Sequence, residues 1–155
     1  MSNQKKPDGR KMLNIRQSVS IIPYTKRYQT FVCDLIPGDW KFNFNKFIHS
    51  HKAGKYFKGF IINYYNINAG FGNILIFGNI GWVGNIIIKK SLRRIGLGTI
   101  LLEHIIKSGK QQGVKTFNLV STANGKSLYQ KFGFESLINY SFYKTSAAVK
   151  MLEVS

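Results

Sequence analysis

"LRRIGLGTILLEHIIK", from Leu92 to Lys107, sets two arginines and two glycines close together and then runs into an apolar pattern of helical period. Leu97, Ile100, Leu101, His104 and Ile105 follow the i, i+3, i+4, i+7, i+8 series of a helix laid on a sheet, and Gly113 marks its end. Just upstream, "GWVGNIIIKK" (Gly81 to Lys90) is apolar on consecutive positions, the pattern of a central strand covered on both faces. The stretch is therefore a strand-to-helix junction, where unpaired backbone N–H groups and the helix dipole favour an anion. Glycines without a Cβ let that anion approach the backbone, and Arg93 and Arg94 can add charge-assisted hydrogen bonds. A diphosphate suits such a turn. A glycine-containing turn with two solvated arginines fits the same residues.

Working outward, Leu13 to Ile22 alternates loosely and stops at Pro23, which predicts a first strand. "YTKRYQTFVCDLIPGDW" has Tyr24, Tyr28, Phe31, Val32 and Leu35 near helical spacing before Pro37 and Gly38, and "KFNFNKFIHSHKAG" repeats that reading with Phe44, Phe47 and Ile48 before Gly54. Both short helices are expected to frame a cleft. Between Tyr56 and Ile88 the clusters "NINAGFGN" and "GNIG" read as turns dividing three strands of an antiparallel meander. "VKTFNLVS" predicts a strand, "NGKSLYQKFGF" a short helix closed by Gly133, and Phe134 to Tyr143 a final strand. The expected class is α/β, a mixed sheet with helices before and after its central strand.

With 155 residues the chain suits one domain, read as residues 13–155 behind a loose basic tail at 1–12. The polar start "MSNQKKPDGRKM" lacks the apolar run of a signal peptide, and no apolar run reaches the roughly 18 residues of a membrane span. A cytoplasmic protein without membrane attachment is expected. Cys33 is the only cysteine, so an internal disulfide and a cysteine-rich metal site are both excluded. The balance of 23 Lys and Arg against 6 Asp and Glu, a formal +17, attracts polyanions. RNA, a ribosome or a phosphorylated cofactor fits that charge; so does a general bias towards Lys, Asn and Ile, since the lysines are scattered.

Spacing narrows the field. Arg93, Gly96 and Gly98 match [QR]-x-x-G-x-[GA], and a strand, an amphipathic helix, a second strand and "SLYQKFGF" accompany it in order. The chain thereby resembles the Gcn5-related N-acetyltransferases (GNAT), from about Leu13 to Tyr143 and most specifically from Gly81 onward. Val120 stands where one subgroup carries an aspartate. The resemblance implies a sheet of about six to seven strands with about four helices, splayed between the fourth and fifth strands, where acetyl-coenzyme A would lie. It implies that Ile86, Ile87 and Ile88 line the pantetheine arm and that Arg93, Arg94, Ile95, Gly96, Leu97, Gly98 and Thr99 hold the pyrophosphate. Asn124 would meet the pantetheine side, and Tyr129 would bind the cofactor and protonate the leaving thiolate. A homodimer is frequent in the family.

Acetyl transfer needs a neutral amine, a polarised carbonyl and a proton for the sulfur. A phenol with a reference pKa near 10 is protonated at neutral pH, so Tyr129 can be that donor; it also reads as an aromatic packing the last helix. Glu103 and Glu135 do not present themselves as bases, and the central strand carries no carboxylate, so loss of the ammonium proton through water near Gly84 and Asn85 is expected. His104 reads as a packing residue, and His49 with His51 do not make a metal site without further ligands. Asp39, Trp40, Trp82 and Gly84 are candidate acceptor contacts, although Asp39 also reads as a turn residue. The acceptor is expected to be a peptide or protein amine, an amino acid-like small molecule, or an amine carried on RNA. A non-catalytic module that holds RNA or a protein through its basic surface is the competing reading.

Overall fold

The structure, a computed structural model, describes residues 9–40, 42–50 and 56–139. Five strands, β1 (Val19–Pro23), β2 (Phe57–Tyr64), β3 (Ile67–Phe77), β4 (Ile80–Ile88) and β5 (Thr116–Leu119), form one sheet in chain order. β1 to β4 pair antiparallel and β5 joins β4 in parallel, which requires a crossover. The helix α4 (Leu97–Gln111) supplies it. The other helices are α1 (Gly9–Gln17), α2 (Gln29–Leu35), α3 (Phe44–Ser50) and α5 (Lys126–Gln130).

Two faces bury two cores. On one, Leu97, Leu101, Leu102 and Ile105 of α4 cover Ile62, Ala69, Ile74, Ile76 and Val83, and α1 adds Ile15. Arg16 of α1 also pairs with Glu103 on α4, an exposed contact that adds little stability. On the other face, Val32 of α2 and Phe44 of α3 cover Ile61 and Phe71. The Tyr24 ring meets Phe44, Phe57 and Phe71 edge-on at centroid distances of 5.6 to 6.1 Å, an arrangement that aromatic quadrupoles favour.

The α/β class, the three-strand meander, the two short helices and the helix after the glycine turn are as expected, with differences in detail. Leu13 to Gln17 belong to α1, and only Val19–Pro23 forms the first strand, because Ile15 is buried under α4. "NINAGFGN" is not a turn. The β2–β3 turn is Tyr65 and Asn66, at φ 48° and 61°, the two positive values that a tight hairpin with the right twist requires. Gly70 and Gly72 lie inside β3 because other atoms take their side-chain space: a Cβ at Gly70 would fall 2.5 Å from the Ile87 carbonyl oxygen, and one at Gly72 2.8 Å from Ile105 Cδ1.

The expected last strand is absent over 134–139, where Leu137 and Ile138 stand exposed with no sheet face to bury against, and Tyr140 to Tyr143 lie outside the described residues. The described sheet thus has five strands rather than six to seven, and five α-helices accompany it. Residues 1–8 of the expected tail are also outside the described residues, while 9–12 belong to α1. Among the described residues no helix is long and apolar enough to cross a membrane.

Leu101 is fully buried between α4 and the sheet. Leu101→Ala should cost about 2–5 kcal/mol and lower the urea midpoint accordingly. His104 packs edge-on against Phe60 at 4.8 Å, and burial, then the charge of Lys107, holds its pKa below the ordinary value. Its neutral form is favoured in the fold, so this contribution is complete above about pH 6.5 and is lost as pH falls through the lowered folded value. Urea melts between pH 7.5 and 5 should slope less in His104→Gln than in wild type; equal slopes would refute the assignment.

Candidate active site

β4 and β5 are paired only from Ile80↔Thr116 to Val83↔Leu119. Beyond Val83, β4 runs on to Ile88 beside β3 with no partner among the described residues on its β5 side. Its register against β3 slips there as well: Asn73 faces Gly84 and Phe71 faces Ile87, so β4 spends three steps where β3 spends two. Such a bulge bends a strand and sharpens its twist, which turns β4 away from β5. Asn85 occupies the bulge at φ 52°, a left-handed value that asparagine tolerates better than most side chains. Its Nδ2 donates to Asn73 Oδ1 at 2.8 Å.

The glycine turn follows at the open end of β4. Arg94 at φ 67° and Gly96 at φ 101° are both left-handed, and Gly96 caps α4 with no side-chain hydrogen bond. Among the described residues, no acceptor takes the backbone N–H groups of Arg94 to Gly98, whereas those of Thr99 and Ile100 bond the Gly96 carbonyl. Successive free N–H groups in such a turn form an anion-binding hollow at the positive end of a helix. Arg93 braces it. Its Nε donates to the Ile88 carbonyl at 2.9 Å, tying the turn to the end of β4, and among the described residues its other guanidinium donors meet no acceptor.

α5 closes the third side. A Cβ at Gly98 would lie 3.6 Å from Leu128 Cδ2 and 3.9 Å from Ile88 Cγ1, so α4, α5 and β4 converge at that residue. Tyr129, one residue on, packs into the α4 core and meets Phe134 edge-on at 6.0 Å. Burial pushes its phenol pKa above 10. Asn124 is exposed in the turn before α5.

An open cleft of about 340 Å³ lies beside the turn, lined by Phe31, Asp34 and Leu35 of α2 and by Ile88, Lys89, Lys90 and Arg93. Lys89 Nζ stands 5.3 Å from the centre of the Phe31 ring, a cation–π contact joining α2 to the end of β4. Asp39 and Trp40 are exposed on a short 3-10 turn and line neither this cleft nor a second one between α2 and α3. Trp82 is partly exposed on β4, two residues before Gly84 and on the same face. His49 is exposed, His51 lies outside the described residues, and among those described no three His, Cys, Asp or Glu side chains cluster as metal ligands.

The first short helix was expected to frame a cleft, with Asp34 beside Asp39 and Trp40 at its end, and α2 does line one through Phe31, Asp34 and Leu35; sequence reasoning assigned no role to Asn73. The signal for Asn73 was present: a single polar residue within "FGNILIF", 1% exposed, as no other polar side chain in the described core.

The described sheet thus parts between β4 and its edge strand β5, and the free N–H groups of Arg94 to Gly98 lie at the end of β4 beyond that parting. The acetyltransferase (GNAT) domain model matches residues 57–136, and the chain belongs to that family. A Bacillus subtilis (strain 168) protein described as an acetyltransferase is 30% identical over 71 residues, 46% of this chain, and the match spans about half of that relative, 48%. Among solved structures, a predicted acetyltransferase of Clostridium acetobutylicum with acetyl-CoA superposes with a TM-score of 0.66 at 13% identity, covering 81% of this chain and 96% of that one. The ribosomal-protein-S18-alanine N-acetyltransferase of Escherichia coli superposes with a TM-score of 0.67 at 22% identity, over 83% and 85%. The domain is therefore an acyltransferase domain of the class that uses acetyl-CoA. The free N–H groups of Arg94 to Gly98 and the unpaired edge of β4 fit that cofactor's diphosphate and amide-bearing arm.

Gly96→Ala forces a side chain onto a backbone at φ 101° and should both destabilise the fold and reduce the rise in Tm caused by coenzyme A. Gly113→Ala, at φ 84° beyond the other end of α4, carries similar strain and should leave that rise intact. Equal responses in both variants would show that the turn does not hold the cofactor.

Proposed function

We propose that the protein transfers the acetyl group of acetyl-CoA to a primary amine, with the cofactor held along Ile86 to Ile88, over the free N–H groups of Arg94 to Gly98, and beside Asn124; the N–H of Thr99, expected to join them, bonds the Gly96 carbonyl instead. The parting of β4 and β5 at Val83 carries this reading, because it leaves the β5 side of β4 unpaired in the described sheet directly before the glycine turn. Bound acetyl-CoA supplies an activated acyl group as a thioester. Arg93 and Arg94 add positive charge at the diphosphate, and the backbone groups of Ile86 and Ile88 on the β5 side of β4 would hydrogen-bond the amide-bearing arm.

Tyr129 is the proposed general acid. Burial favours the protonated phenol, so its proton stays in place across the physiological range and can be given to the departing sulfur. Of the four acidic side chains among the described residues, Asp34 lines the cleft, Glu103 is paired with Arg16, and Asp39 and Glu135 are exposed. No carboxylate lies on β4. Water is the proposed carrier of the ammonium proton, held near the carbonyls of Gly84 and Asn85. An amine that is neutral to a useful extent at pH 7 to 8 suits such a site: an α-amine, near pKa 8, rather than a lysine near 10.4.

The acceptor class that follows is the α-amine of a peptide, a protein or an amino acid-like molecule. The Escherichia coli neighbour, which acts on an alanine of a ribosomal protein, supports this choice by fold only.

Acetyl-CoA at about 100 times Kd should stabilise the protein by roughly 2.7 kcal/mol, seen as a rise in Tm that survives added salt. In Tyr129→Phe that rise should remain while kcat falls about 100-fold. For wild type, the rising limb of kcat against pH should report the amine, and no falling limb should appear below about pH 10, because the raised phenol pKa keeps the acid protonated to that point. Full kcat in Tyr129→Phe would remove the acid role. A protein that melts at the same temperature with and without the cofactor would remove the acetyltransferase reading.

A further inference from the structure

Asn73 is the one polar side chain in the described core, 1% exposed in the middle of β3. Half of its amide is accounted for: Oδ1 accepts from Asn85 Nδ2 at 2.8 Å, which holds the left-handed residue of the bulge. The other half is not. Among the described residues no acceptor meets Asn73 Nδ2, and it is not one of the fully buried side-chain atoms left without a partner, which are Tyr24 Oη and Asn63 Oδ1.

The amide faces a specific opening. Asn73 is the β3 partner of Gly84, and a Cβ built on Gly84 would lie 3.7 Å from both Asn73 Oδ1 and Nδ2, with no other atom beyond its chain neighbours within 4 Å. The missing side chain of Gly84 thus leaves a window whose floor is the Asn73 carboxamide. That window sits one residue beyond the last β4–β5 pair, where the sheet begins to part. Trp82 projects from the same face of β4 and is partly exposed beside it.

We propose that Asn73 is a specificity-determining residue that donates a hydrogen bond from Nδ2, through the window at Gly84, to a neutral carbonyl oxygen of the acceptor. This rests on the acetyltransferase reading and narrows it. An α-amino amide carries such an oxygen two bonds from its amine-bearing carbon; a simple alkylamine has none. Among the described residues no charged side chain lies within 4 Å of a Cβ built on Gly84, so a neutral carbonyl matches the donor better than a carboxylate, which points to a peptide N-terminus rather than a free amino acid. A site built to donate to a substrate oxygen also discriminates against an analogue lacking it, because its own polar group is left unpaired.

The test compares kcat/KM for L-alaninamide and isopropylamine, which share a branched carbon bearing the amine, in wild type, Gly84→Ala and Asn73→Asp. Gly84 has no positive φ and its added methyl meets the amide at ordinary contact distance, so Gly84→Ala should fold while covering the donor. Asn73→Asp keeps the oxygen that Asn85 needs and replaces the donor. The difference in amine pKa is common to all three proteins, so the change in the alaninamide-to-isopropylamine ratio reads the contact. The ratio should fall about tenfold in both variants, while the coenzyme A rise in Tm is kept. A ratio unchanged in Gly84→Ala overturns the proposal even if Asn73→Asp fails to fold. Wild-type protein that acetylates neither amine and shows no cofactor rise overturns the acetyltransferase reading itself, whereas acetylation of both amines with a ratio insensitive to the variants overturns this inference alone.

Discussion

Between Phe71 and Asn73, β3 offers two steps against which β4 must place three, from Ile87 to Gly84. The surplus residue cannot join the ladder. It is Asn85, at φ 52°, and its side-chain bond to Asn73 holds the surplus in place. Because a bulge bends its strand, β4 leaves β5 just beyond Val83, and the parallel pairing that α4 makes possible ends there. The parting would collapse without support on both sides. α4 packs on one face through Leu101, Leu102 and Ile105, and α2 and α3 pack on the other through Val32 and Phe44, so β4 keeps its β3 partner while it loses its β5 partner.

The glycines fall into two physical groups. Gly96 and Gly113 lie at opposite ends of α4 with positive φ, where backbone conformation is the requirement. Gly70, Gly72 and Gly109 have no positive φ; they give up side-chain volume so that a carbonyl, an isoleucine and the Phe117 ring can come close. Gly109 makes the point for α4. A Cβ there would fall 2.7 Å from Phe117 Cε1, so glycine in the last turn of the helix, costing up to about 1 kcal/mol in propensity, admits the aromatic ring of β5. Close approach of α4 to β5 below the parting and separation of β4 from β5 above it are two ends of one packing arrangement.

This difference explains what was legible in the sequence. The strand before Arg93, the helix period after Gly98 and the positive-φ glycines carry local signals, and the turn and α4 were read with their limits nearly correct. "NINAGFGN" carries the same composition as a turn, yet its glycines answer to Ile87, Ile105 and Leu101, residues distant in sequence, so a local reading placed the hairpin too late. Leu13 to Gln17 failed for a related reason. Alternation there suggested a strand, whereas the burial of Ile15 under α4 and the contact of Arg16 with Glu103 are tertiary facts. At the site, the resemblance reached the residues of the turn and α5, whose spacing is sequential. It could not reach Asn73, whose significance depends on which β4 residue lies opposite and on that residue being Gly84.

The scarcity of carboxylates and the excess of cations act on the reaction in the same direction. Lys89, Lys90 and Arg93 line the cleft and Arg94 follows, with Asp34 as the one acidic side chain among the lining residues. A positive field lowers the pKa of an incoming ammonium and so raises the fraction of neutral amine, part of the work that a carboxylate base would otherwise do. The same field attracts a phosphorylated cofactor. Bound phosphates offset some of the field, and at physiological salt its reach is about 8 Å, so the scattered lysines elsewhere contribute little to the amine. Local composition at the end of β4, rather than the total of +17, therefore dominates the field that a charged group in the cleft meets.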